Sequence, residues 1–506
     1  MKNRYRRIIG SRLVVTALAA AVQAAWLWGL LELLAPYALL IDAALTVLAV
    51  VFVLYVASKR DEPAYKILWL IAILSLPLFG TVLYLCFGDK KTGRPLARRL
   101  ERARDAMGPH PVTAPGTEEA LLAASPRMAQ TFRYAAYLSR SPTFPNTDAR
   151  YYPLGDDMFP AMLEALEGAG KFIYLEYFII AEGQMWGRML EILERKAAAG
   201  VDVRVIYDDL GSLTTLPPGY GDALRRRGIR CVDFNPMRLV LSGTLNNRDH
   251  RKILVVDGTV AFSGGVNLAD EYINAYEKYG HWKDGGFRVE GAAAWGYTHM
   301  FAEFWNAFSP EKITLPLCPA PAAPADGFIH PYCDMPTNHD AVSNHLYMEL
   351  LDQAAEYAWF FTPYLMLGDT LLDTFVRAAR RGVDVRIYVP GVPDKPFIYR
   401  ITRSFYRPLL RAGVRIFTYT PGFLHAKACL VDGQAGMLGT VNLDYRSLFL
   451  HFECNALFYR ASLLQDLRRD FEATEAKCRE VTEADCGRGL GSRLADCLLR
   501  IIAPLC

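Results

Sequence analysis

Apolar runs long enough to cross a bilayer occupy the first ninety positions of the chain, and from about residue 125 short β-rich runs alternate with helical periodicity. The three N-terminal runs extend roughly over Leu13–Leu34, Leu39–Ala57 and Ile67–Phe87. As helices, each would span about 30 Å of hydrocarbon. Their length and close succession favour retained membrane segments over a cleavable signal peptide. Lys2, Arg4, Arg6, Arg7 and Arg12 precede the first run and place the N-terminus inside, while the link around Pro36 and Tyr37 carries no Lys or Arg. The third run is flanked by positive charge on both sides, "SKRDEPAYK" before and "DKKTGRPLARRLERAR" after, with Pro77 and Gly80 at its centre as helix breakers. A re-entrant or interfacial hairpin satisfies both flanks, whereas a third full span would put the large domain outside. The expectation is therefore an anchor over 1–90 with two or three apolar helices and the large domain inside.

The alternating pattern downstream is that of an α/β domain, and it repeats. "AAAGVDVRVIYDD" at 197–209 matches "ARRGVDVRIYVPG" at 379–391, each after a helical stretch (Met189–Ala199, Leu371–Arg380) and an upstream strand-like run (171–180, 357–367). An H-x-K segment follows each glycine 43 to 50 residues later. The fold class expected is α/β: two similar halves, 127–316 and 329–506, forming one catalytic unit behind an N-terminal membrane-embedded α-helical region. A Pro/Ala-rich linker (317–328) joins the halves, and 91–126 reads as a basic linker whose tract 101–126 lacks periodic structure. At the C-terminus Leu494, Leu498, Ile501 and Ile502 share a helical face, which suits either the membrane interface or a last helix on the core.

Composition narrows the partners. With 56 Lys+Arg against 53 Asp+Glu, no bulk polyanion is implied, and nucleic acid is not expected as a partner. The ten cysteines include no C-x-x-C pair, so neither a zinc site nor a disulfide framework is expected. Cys429 and Cys454 read as buried small hydrophobes.

Chemistry concentrates in "DHRKILVVDG" (249–258) and "LHAKACLVDG" (424–433). In an extended strand His250 and Lys252 project together, as do His425 and Lys427. Each pair runs into Asp-Gly, a turn signal, and then a strand ending in "GGVN" or "GTVN", so the returning strand brings Asn267 or Asn442 near its His and Lys. Imidazole, ammonium and amide together suit a phosphoryl oxyanion. Two halves face to face offer two histidines across one phosphorus, one to attack and form a phosphohistidine, the other to protonate the leaving alkoxide and then deprotonate an incoming hydroxyl. With two lysines to neutralise developing charge, no metal and no cofactor are expected. Asp257 and Asp432 complete the repeated pattern and are grouped with the catalytic residues; they lie on the strand face opposite the lysines and are read as fixing the turn. Asp284 in "HWKDGGFRVEG" and Glu453 in "LHFECNALFY" are the candidates for orienting the imidazoles, the alternative being surface salt bridges.

These residues resemble the phospholipase D superfamily, marked by two H-x-K-x4-D motifs, and more closely the bacterial cardiolipin synthases. The similar phrases are "HRKILVVDGTVAFSGGVNLADEYI", "HAKACLVDGQAGMLGTVNLDYRSLFLHFE", "TPYL" (362–365), "PYCDMP" (331–336), "AGVRIFTYTPGFLHAK" (412–427) and the membrane end "ILSLPLFGTVLYLCFGDKK". The resemblance covers nearly the whole chain. It implies transfer of a phosphatidyl group from one phosphatidylglycerol to another, giving cardiolipin and glycerol, with His250 as nucleophile and His425 as acid/base. It also implies a multi-pass protein of a bacterial cell membrane whose substrates are phospholipids; the charge flanking the apolar runs puts the catalytic domain on the cytoplasmic side. The alternative is a membrane-bound hydrolase of the same type that releases phosphatidic acid. Acceptor selectivity and oligomeric state stay open.

Overall fold

The structure, a computed structural model, describes residues 17–28, 37–88, 94–108, 113–145, 147–236, 246–315, 326–338, 340–487 and 489–506. The basic N-terminal residues up to Arg12, most of the Pro/Ala-rich linker and the ends of the first apolar run lie outside them. The chain divides into an N-terminal unit (1–95, with 237–246 and 501–505) and a large unit (96–236, 247–500 and Cys506).

In the N-terminal unit the described apolar helices are Ala17–Trp28, Ala38–Ser58, Pro63–Ser75 and Pro77–Leu83, the last continuing into a π-helical turn, Tyr84–Gly88. Among the described residues one helix, Leu39–Ser58, is long and apolar enough to cross a membrane. The third apolar run is not one helix. A proline disfavours α conformation in the residue before it, and Leu76 accordingly leaves the helix at φ −139°, ψ 79°. Gly80 does not break anything: it stays helical, and a Cβ there would lie 2.2 Å from the Ala72 carbonyl oxygen, so glycine allows the two pieces to abut. The ring of Tyr84 lies edge-on to Phe52, Tyr55 and Trp69 at 6.2, 6.3 and 5.5 Å, which packs the pieces against the long helix.

The large unit holds two mixed sheets of matching topology. The first contains β1 (Thr147–Tyr152), β2 (Phe172–Tyr177), β3 (Asp202–Asp208), β4 (Arg230–Phe234), β5 (Lys252–Val256) and β6 (Val260–Gly264); after the short β7 (His281–Lys283) comes β8 (Gly286–Gly291). Its order is β1-β8-β6-β5-β2-β3-β4. The second contains β9 (Phe328–Asp334), β10 (Tyr357–Phe361), β11 (Asp384–Pro390) and β12 (Arg415–Tyr419), then, past β13 (Gly422–Leu424), β14 (Ala428–Val431), β15 (Ala435–Gly439), β16 (Glu453–Tyr459) and β17 (Cys478–Val481). Read from β9, its order is β9-β16-β15-β14-β10-β11-β12, the same path, with β17 added at the far edge. In each sheet the GVDVR strand lies parallel to the strand before it, and the strand after H-x-K runs antiparallel to that strand.

Both β5 and β14 are buried along their whole length, as strands covered on both faces should be. Phe287 of β8 meets Phe458 of β16 edge-on at 5.3 Å, tying the two sheets at the core. Cys429 and Cys454 are buried and free, in β14 and β16.

The stretch expected to be an unstructured basic linker is largely helical. Arg94–Ala106 and Thr117–Ala124 are both helices. From the first, Leu100 and Ala103 enter the core of the large unit, Arg104 pairs with Glu303 at 2.8 Å, and Arg99 donates to the Ala307 carbonyl. An apolar residue every three or four positions among arginines is enough to dock one narrow face. The next helix, Pro126–Ser139, packs on the second half, Ser139 and Thr143 reaching His330 at 3.0 and 3.1 Å. At the C-terminus, helix Leu490–Ile502 exposes Leu494 and Leu498 (57% and 62%), while Ile501 and Ile502 at its end are half-buried.

Candidate active site

Two buried arginines fix the approach to the first H-x-K. Arg248 is held by Asp208 at 2.6 Å, and the same carboxylate accepts the Asp249 N–H at 2.9 Å. Arg251 pairs with Asp249 at 2.9 Å and with Glu176 at 2.5 Å, its guanidinium 4.0 Å from the centre of the Phe304 ring. With both neighbours paired below the surface, the His250 backbone has one path. The second motif has alanine at the corresponding position, Ala426, and no such frame.

Neither histidine lies within its sheet: the ladders begin at Lys252 and Ala428. Each is held by the other half. The His250 N–H donates to the Phe452 carbonyl at 2.8 Å, and the His425 N–H to the Lys283 carbonyl at 2.7 Å. The residue after each acceptor is the carboxylate candidate. Glu453 lies 2.9 Å from His250 Nδ1, and Asp284 lies 2.5 Å from His425 Nδ1. The two imidazoles are thus oriented crosswise, each by a buried acid from the opposite half. Thr440 of "GTVN" donates to the second oxygen of Glu453 at 2.5 Å. The parallel pairing of β7 with β13 is part of the same exchange.

The lysines fold back along their own segments. Lys252 Nζ donates to the His250 carbonyl at 2.6 Å; Lys427 Nζ donates to the His425 carbonyl and lies 2.8 Å from His425 Nδ1. Burial dominates the electrostatics. It draws the Lys252 ammonium down to about 8 and that of Lys427 to about 7. Both imidazoles are held well below their usual range, first by burial and then by the two lysines, each histidine feeling the lysine of the other half as well as its own. Burial lifts the Asp284 carboxyl to about 7 against the pull of Lys427 and Lys252. At neutral pH both histidines are therefore uncharged, with Nδ1 toward a carboxylate and Nε2 left for chemistry.

The remaining expected residues lie elsewhere or are already engaged. Asp257 accepts backbone N–H groups from Gly170, Lys171 and Phe172 at 2.7–2.8 Å, and Asp432 does the same for Ala355, Glu356 and Tyr357 at 2.8–2.9 Å. Each stands at the far end of its strand, φ 54° and 49°, and locks the turn to the start of β2 or β10, the turn-fixing place read for it from the sequence. Asn267 accepts from Ile179 N at 3.1 Å and donates to Tyr272 Oη at 2.7 Å. Asn442 bonds the Asp444 carboxylate and keeps a buried Oδ1 without a protein partner.

Several neighbours carried no signal of their own in the sequence. Tyr272, Trp282 and Phe423 surround His425 with ring centres at 5.5, 5.5 and 5.6 Å, and Phe178 lies edge-on to His250 at 5.0 Å. His451 lies 5.6 Å from His250, ring to ring. Aligning the halves on Asp284 and Glu453 would have found Trp282 and His451, each two residues before its carboxylate. Among the described residues His250, His451 and Glu453 form the one cluster with metal-ligand spacing.

Two H-x-K segments on duplicated mixed sheets, facing each other across paired carboxylates, define the phospholipase D-like class. Comparison with known proteins agrees. A family model described as "Cardiolipin synthase, PLD-like domain" matches residues 347–474, and one described as "Phospholipase D-nuclease N-terminal" matches 44–88. A cardiolipin synthase of Geobacillus sp. (strain WCH70) is 32% identical over 466 residues, covering 90% of this chain and 92% of that protein. Another, from Halalkalibacterium halodurans, is 31% identical over 468 residues, covering 91% and 93%. An uncharacterized protein of Streptococcus mutans is 39% identical over 460 residues, covering 90% and 99%. Among solved structures, phosphatidylserine synthase from Haemophilus influenzae Rd KW20 shares the fold at 16% identity and a TM-score of 0.56, over 73% of this chain and 99% of that one. The chain belongs to the cardiolipin synthases of the phospholipase D type, a family of phospholipid phosphatidyltransferases.

Proposed function

We propose that this protein makes cardiolipin from two molecules of phosphatidylglycerol, by way of a phosphatidyl-histidine. The observation that supports it best is the crosswise pairing: two buried imidazoles, each with Nδ1 on an acid from the other half and each within the field of both lysines. The donor's phosphodiester anion enters between Lys252 and Lys427. Its charge offsets theirs and lets an imidazole take a proton that the lysines oppose while no anion is bound.

His250 is assigned as nucleophile by the likeness to the superfamily. Its Nε2 lone pair attacks phosphorus in line, the N–P bond forms as the bond to the glycerol oxygen breaks, and His425 delivers the proton that oxygen needs. Asp284 supports the charged imidazole of His425 before it gives its proton, and Glu453 supports that of His250 once it carries the phosphatidyl group. The free hydroxyl of a second phosphatidylglycerol then loses its proton to His425 and attacks, so that the N–P bond breaks and cardiolipin leaves. Protons and charge balance over the cycle with no other reactant. The second amide hydrogens of Asn267 and Asn442 are assigned to the non-bridging phosphate oxygens.

Lipid substrates fit a chain with an apolar N-terminal unit. We assign it to the cell membrane of a bacterium as a multi-pass protein, with the catalytic body on the cytoplasmic side and the helices broken at Leu76 as a re-entrant or interfacial hairpin. The test is rapid quenching of the full-length enzyme in denaturing detergent at mildly alkaline pH, where a histidine N–P bond survives, with phosphatidylglycerol labelled in its acyl chains. Label should appear on His250 within the first turnover and be absent in His250→Ala. Label on no residue, or on His425, would overturn the assignment.

A further inference from the structure

Beside the His250–Glu453 pair stands an imidazole that the reaction leaves unused. His451 is 12% exposed at its side chain, and neither ring nitrogen has a hydrogen-bond partner. Its Nδ1 is 3.8 Å from Glu453 Oε1, beyond hydrogen-bond reach. The same oxygen is 3.0 Å from His250 Nδ1, while Thr440 is bound to the other carboxylate oxygen. All three ligand atoms lie within 4.8 Å of one another.

Zinc with arms of about 2.0–2.1 Å in a tetrahedron sets its ligands about 3.3 Å apart; the two separations from Glu453 Oε1, 3.0 and 3.8 Å, bracket that value, and the two imidazoles, within 4.8 Å, need only draw together. Two imidazoles and one carboxylate are a ligand set zinc uses, with the fourth position left to water. Magnesium asks for oxygen ligands in an octahedron and does not match. We propose that His250, His451 and Glu453 form an inhibitory binding site for Zn2+ or a similar borderline transition-metal ion.

Inhibition follows from the tautomer. In the resting pair Nδ1–H of His250 points at Glu453 and the lone pair is on Nε2. A metal on Nδ1 puts the ring proton on Nε2, with no net proton released, and the atom assigned to attack phosphorus no longer has a lone pair to offer. The site belongs to one histidine only. In the first half the position matching His451 holds Trp282, which stands beside His425 at 5.5 Å and offers no ligand atom.

The inhibitory arm rests on the transferase reading; the binding arm does not, so the two are measured separately. Full-length enzyme stripped with a chelator is titrated with Zn2+ alone against a chromophoric zinc indicator, and turnover is followed at the same metal concentrations. Wild type should bind a zinc ion that His451→Asn binds at least about tenfold more weakly, and half-inhibition should move up by the same factor. His451→Cys, which supplies a thiolate in place of the imidazole, should restore both, a rescue that a merely structural defect would not give. Equal binding by wild type and His451→Asn, or equal sensitivity of their turnover, overturns the proposal. Zinc binding that depends on His451 without inhibition retains the site and refutes its inhibitory role.

Discussion

Two carboxylates that reach across from the opposite half, Glu453 and Asp284, orient the imidazoles of the site. Asp284→Asn keeps the shape but cannot support an imidazolium on His425, so kcat should fall about 10²- to 10⁴-fold with little change in KM. Glu453→Gln should act in the same direction through His250. Steady-state kinetics on phosphatidylglycerol in mixed micelles checks both. The lysines predict the pH dependence. In the proposed function each holds the phosphodiester as a cation, and burial has brought them to about 7 and about 8, so kcat/KM should fall as pH rises through 7 to 8. Lys427→Arg cannot lose its charge in this range and should move the alkaline limb up toward that of Lys252. A profile flat to pH 9 would contradict the lowered ammonium values. The residues of the site were legible in the sequence because the H-x-K segment occurs twice, in matching places. Their pairing was not, since no spacing along the chain tells that Glu453 serves His250 and Asp284 serves His425. His451 was silent for the same reason: its meaning lies in a neighbour two hundred positions away.

At the scale of elements, Asp257 and Asp432 hold the central hairpins in register. Each ties a left-handed turn residue to three backbone N–H groups where the neighbouring strand begins, at the exposed end of the sheet. Asp257→Ala loses these acceptors and puts a Cβ residue without local hydrogen bonds at φ 54°, so it should cost about 2–4 kcal/mol. Asp257→Asn, which tolerates the same backbone, should cost less. Chemical denaturation of the full chain measures both, and the Asp257→Asn enzyme that stays folded should keep its KM. The strands and the two GVDVR repeats were readable from pattern, because a strand covered on both faces reads as a continuous apolar run. Helix Arg94–Ala106 was not, because Leu96, Leu100 and Ala103 give one apolar contact per turn among many arginines, and the composition of a linker masks the stripe. The break at Leu76 was signalled by Pro77, whereas the packing role of Gly80 needed the neighbouring helix to be seen.

At the scale of the molecule, duplication explains why the chain has two sheets of one topology, and the crossing of segments between them explains why neither half would be a site alone. His250 depends on Phe452 and Glu453, and His425 on Lys283 and Asp284, so each half completes the other. The apolar N-terminal unit, with Leu39–Ser58 long enough to span a bilayer, suits an enzyme whose donor, acceptor and product are all lipids. The most direct measurement of the account is a product assay with the full-length protein in vesicles of phosphatidylglycerol labelled in both acyl chain and headgroup. Cardiolipin and free glycerol should appear in equal amounts, both lost in His250→Ala and in His425→Ala. Phosphatidic acid without cardiolipin, or turnover that survives the loss of either histidine, would contradict it.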